Sequence, residues 1–193
     1  MHRPSKPALL VVTLLLGATA GCGKSDWQDF KSAEGNYSVQ LPPGKSEDKT
    51  QSYQQGLKVH AQVVVLDKAT FLVSFIDLPP EIPLDYAAIL EGMTGQVGGK
   101  VTKLRDWTID GHKGKEVEMS ITSTPFYPVG WVASAANKGK RLEWWFNRNR
   151  AGFASMRMVV INNRLHQIVA IGEETDFENA DVKKFFDSFK LTQ

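Results

Sequence analysis

The sequence has 193 residues, with 23 Lys+Arg against 21 Asp+Glu and a single cysteine, a length that suits one domain with a real core. Arg3 and Lys6 carry the basic excess, so residues 22–193 hold 21 basic and 21 acidic side chains and offer no electrostatic footprint for nucleic acid. One cysteine also excludes an internal disulfide.

In chain order, the first feature is a leader. Arg3 and Lys6 open it, an apolar run follows from Ala8 to Leu16, and small residues fill Gly17 to Gly21. A charged start, a short apolar stretch and a small-residue cleavage site predict a secretory signal peptide over residues 1–21. The run is shorter than the roughly 20 residues that a membrane span needs. Thr19-Ala20-Gly21-Cys22 resembles the lipobox of bacterial lipoproteins, with Thr19 where that family usually has Leu. The resemblance implies cleavage before Cys22, a diacylglyceryl thioether on its sulfur and acylation of the new amine. It therefore implies a membrane partner through the lipid anchor, and it accounts for a lone thiol in an exported chain. Gly23 rather than Asp after the cysteine implies outer-membrane sorting if the cell is Gram-negative.

Residues 22–26 read as a short lipidated tether, and residues 27–193 as a single domain. Trp27 to Lys31 and Tyr37 to Leu41 predict strands around a Gly-containing turn, ended by Pro42-Pro43-Gly44. Ser46 to Tyr53 predicts an exposed strand. Leu57 to Leu66 and Ala69 to Leu78 predict a buried hairpin. Leu84 opens a helix with Tyr86, Ile89, Leu90, Met93 and Val97 at helical spacing, stopped by Gly98-Gly99. Val101 to Ile109 and Lys115 to Ile121 form a second hairpin through Asp110-Gly111. Residues 124–152 are less regular and read as an insertion. Phe153 to Ile161 and Leu165 to Gly172 form a third hairpin through Asn162-Asn163. Thr175 and Glu178 have capping-box spacing for a last helix with Phe177, Val182, Phe185, Phe186 and Phe189 on its apolar face.

This order predicts an α+β domain, a largely antiparallel sheet flanked by helices. Three stretches are similar to lipoproteins of the PsbP-like fold: Tyr37 to Pro42, Asp110 to Glu116, and the ending from Arg157 through Leu165-His166-Gln167-Ile168 to Phe186-Asp187-Ser188-Phe189-Lys190-Leu191. The resemblance implies an α/β/α sandwich related to PsbP and to DcrB envelope lipoproteins. Function does not transfer with a fold.

Motifs for catalysis are sparse. Gly95 to Lys100 fails as a phosphate loop, because Thr94 stands where the first Gly belongs and Val101 where Ser or Thr belongs. His60, His112 and His166 are far apart, so no metal or other cofactor is expected. Glu173-Glu174-Thr175-Asp176 suits a helix start better than calcium. There is no Gly-x-Ser-x-Gly elbow. Trp144, Trp145 and Phe146, flanked by Arg141, Arg148 and Arg150, combine the residue types of interface hot spots, with Trp131 nearby. The expected function is a non-enzymatic, membrane-anchored envelope module that binds a protein or ligand. The alternative is a cell-surface hydrolase, in which a serine or carboxylate meets His60 or His166.

Overall fold

The computed structural model describes residues 26–52, 57–66, 68–80, 85–97, 99–121, 152–174 and 180–192. The leader, Cys22, the tether up to residue 25 and the arginine–tryptophan cluster at 141–150 lie outside these residues, as does Trp131.

Two sheets carry the fold. The smaller has the order β1-β2-β10, from Gln28–Ser32, Tyr37–Leu41 and Lys190–Leu191. The larger has seven strands. In chain order these are β3 (Ser46–Ser52), β4 (Lys58–Val65), β5 (Ala69–Asp77), β6 (Gly99–Ile109), β7 (His112–Ile121), β8 (Gly152–Ile161) and β9 (Arg164–Gly172). Their spatial order is β3-β4-β5-β9-β8-β7-β6, with every pair antiparallel. Two helices are described, α1 (Tyr86–Val97) and α2 (Ala180–Ser188).

The helix-flanked α/β/α sandwich expected from the sequence is therefore corrected: among the described residues the domain is mostly β. The cause is β2. Tyr37, Val39 and Leu41 alternate with half-buried Ser38 and Gln40, which marks one buried face but not the sheet the strand joins. β2 pairs with β1 and with β10, not with the large sheet. Its buried face packs over the large sheet beside α2, in a core that joins Tyr37, Val39 and Leu41 to Val73, Ile168 and Phe185. A second sheet thus shares the layer expected to be helix alone.

Val182, Phe185 and Phe186 recur at helical spacing and are all buried. Each such side chain contributes about 1.5–3 kcal/mol when removed from water. The Gln40 amide donates to Ser188 Oγ at 2.9 Å and fastens β2 to the end of α2. On the opposite face of the large sheet, Leu90 of α1 joins Val117, Met119, Met156 and Leu165 in a separate core. Tyr86 at the start of α1 donates to the Lys113 carbonyl and accepts from the Val160 amide, both at 3.3 Å.

Candidate functional site

Strand register decides what meets at the site. Residues paired across neighbouring strands project to the same face. One such row runs through all seven strands: Thr50, His60, Phe75, His166, Val159, Gly114 and Trp107. Two residues along, on the same face, Asp77 pairs with Arg164, and Arg164 with Ile161. Asp77 ends β5, while the turns after β6 and β8 close at the same end of the sheet. The β1–β2 turn and the end of β10 overhang it, because the Thr192 amide donates to the Asn36 carbonyl at 2.9 Å. Between them lies a half-open cavity of about 570 Å³.

Turn chemistry explains part of its lining. Asn36, Asp110 and Asn162 line the cavity and have φ of 54°, 47° and 50°. Asn and Asp are the side chains that tolerate this left-handed region best. Asp77, Arg164 and His166 also line the cavity, and they lie in strands where no turn requires them.

Arg164 is held on three sides. Its Nε–H donates to Asp77 Oδ1 at 2.6 Å and its Nη2 to Oδ2 at 3.0 Å, while its Nη1 donates to the Glu34 carbonyl. The guanidinium carbon also lies 4.7 Å from the centroid of Phe75. The hydrogen bonds from Arg164 hold the Asp77 carboxyl below the usual carboxylate range.

His166 is only 3% exposed. The rings of Tyr37 and Phe189 stand 6.1 Å from it, and its Nδ1 has no hydrogen-bond partner. Burial, assisted by the charge of Arg164, pushes its pKa down to about 4, so the ring is neutral at pH 7. Tyr37, equally enclosed, has its phenol pushed up to about 12 by the same loss of water.

His60 meets a carboxylate, with Nε2 at 3.7 Å from Glu34 Oε1, and its Nδ1 lies 3.2 Å from Thr50 Oγ1. Its ring stacks on Phe75 at 4.6 Å. Among the described residues no serine hydroxyl is hydrogen-bonded to His60 or to His166, while the carboxylate of Glu34 does stand beside His60. The described residues also hold no group of three or more His, Cys, Asp or Glu able to grip a metal ion. His112 is exposed and lines the cavity mouth. The sequence marked His60 and His166 as strand residues but missed Arg164 and Asp77. Only the register of β5 on β9, four segments apart in the chain, brings those two together.

A second polar cluster occupies the same face further along. Arg157 donates to Glu116 Oε2 at 2.7 Å and to Asp187 Oδ1 at 3.1 Å, with Trp107 and Phe186 rings at 5.5 and 5.3 Å. Arg105 donates to Glu116 and to Glu118. Every charge in this ladder has an opposite partner, so it reads as a structural clamp.

No protein-family model and no curated protein matches the chain. Solved structures do. Cyanobacterial PsbP (CyanoP) from Synechocystis sp. PCC 6803 matches with a TM-score of 0.52 and 14% identity, covering 91% of this chain and 98% of that one. LpqN, involved in cell envelope biogenesis of Mycobacterium tuberculosis, gives a TM-score of 0.41 and 10% identity, covering 79% and 87%. The likeness to CyanoP shows a PsbP-like fold, as the sequence resemblance implied, and at this identity it shows the fold alone.

Proposed function

We propose that the chain is a lipid-anchored, non-enzymatic binding module of the cell envelope, secured through Cys22 and engaging its ligand at the turn-end cavity. The observation that carries the binding role is the chemistry of that cavity. A general base works best with a pKa near the working pH. His166 sits at about 4, far below neutrality, and Asp77 is held low by the two hydrogen bonds it accepts from Arg164. Groups fixed in one charge state suit hydrogen bonding to a guest better than moving protons.

The envelope location and the anchor rest on the leader and on Cys22. Outer-membrane sorting rests on Gly23 alone. Arg141, Trp144, Trp145, Arg148 and Arg150 are proposed as a separate contact for a protein partner.

Metabolic labelling with palmitate, wild type beside Cys22→Ser, tests the anchor. Label in the wild type and none in the variant is expected. Equal labelling of both refutes it.

A further inference from the structure

We propose that the turn-end cavity binds a neutral, hydroxyl-rich small molecule of sugar size, taken from the aqueous side of the membrane. This deepens the binding-module reading above and rests on it. About 570 Å³ lies within the range of roughly 300–1,000 Å³ common for small-molecule sites. The decisive feature is His166, which is buried among aromatic rings and yet lines the cavity. A polar group in that position costs free energy unless something bonds to it, and an apolar residue would pack among the same rings without that cost.

A neutral imidazole has one N–H. Nδ1 is sealed among aromatic rings, and an unmet lone pair is less costly there than an unmet N–H. The proton therefore belongs on Nε2, which is the nitrogen left to serve the cavity. Arg164 adds donors: three of its N–H groups are engaged, leaving two of five. The amides of Asn36 and Asn162 supply both donors and acceptors, and the Asp110 carboxylate supplies acceptors. Ile161 and Leu191 give an apolar patch for C–H groups. Two carboxylates, Asp77 and Asp110, outnumber the single guanidinium, which disfavours phosphate and other anions. Alternating donors and acceptors without a net positive charge fit hydroxyl groups.

The source of the ligand follows from the position of the cavity. Trp27 packs at the start of β1, with the Lys184 ammonium 4.4 Å from its ring, and Asn36 lies just past the far end. Four residues separate Cys22 from Trp27, five chain steps with a reach of at most about 18 Å. The anchored end of β1 is thus held near the lipid, and the cavity lies about 17 Å further along the strand direction.

The test uses the full-length protein in detergent, titrated with glucose, maltose and inorganic phosphate. Calorimetry and the ring nitrogen resonances of His166 are read together. Binding of a sugar that shifts the His166 resonances is expected, with affinity about tenfold weaker in His166→Phe, as for one lost hydrogen bond. Asn162→Gly keeps the left-handed turn, removes the amide, and is expected to weaken binding several-fold. Failure of both sugars to bind overturns the proposal, as does sugar affinity unchanged in both variants. Phosphate binding that shifts His166 overturns the ligand class while leaving a binding module in place. Cys22 labelling reports separately on the anchor.

Discussion

His166 carries both a stability prediction and the proposed binding role. Its folded pKa of about 4 lies below the ordinary 6.5. The unfolded chain therefore binds more protons between those values, and stability falls as pH drops through that window. The full contribution is present above pH 6.5 and is lost by pH 4, with a ceiling of about 3 kcal/mol. His166→Phe is expected to flatten the acid limb of a denaturant-measured stability profile, and to leave stability at pH 7 equal or higher. An unchanged acid limb argues that the histidine is hydrated. Gly35 makes a complementary case. A Cβ there meets the ring of Tyr37 and the ring of Phe75, so Gly35→Ala is expected to cost about 1–3 kcal/mol by overpacking, read as a lower thermal midpoint.

At the scale of elements, the hairpins were the legible part. Asp110-Gly111 and Asn162-Asn163 mark turns by their own chemistry, and all but Gly111 of these four are non-glycine residues at positive φ. Alternation in Tyr37–Leu41 showed a buried face, yet the separate sheet it builds with β10 depends on the pairing of Leu191 with Tyr37, which lie 154 residues apart in the chain and carry no local signal. The cavity was illegible for the same reason: His166, Arg164 and Asp77 gain meaning only once β5 lies on β9. Arg157 illustrates an inter-element tie of this kind. It links β8 to β7 through Glu116 and to α2 through Asp187. Arg157→Ala is expected to destabilise by about 1–3 kcal/mol, because Glu116 loses a charged partner in a half-buried setting. Arg157→Lys keeps the charge but not the fork, so it is expected to fall between. Equilibrium urea denaturation of both variants checks the order.

For the whole molecule, the proposed anchor would precede one end of β1 while the cavity lies at the other, and this arrangement is what would make the proposed module serve the aqueous side. Because Cys22 is the only natural cysteine, a lipidated chain accepts one new thiol label at a chosen place. Gln28 and His112 are both exposed, one beside the tether and one at the cavity mouth. Gln28→Cys and His112→Cys, each labelled with a fluorophore in the full-length lipidated protein on vesicles carrying head-group quenchers, measure the arrangement directly. Strong quenching at position 28 with little at position 112, and none at either once the lipid is absent, is the predicted result. Equal quenching at the two positions, or stronger quenching at 112, contradicts it.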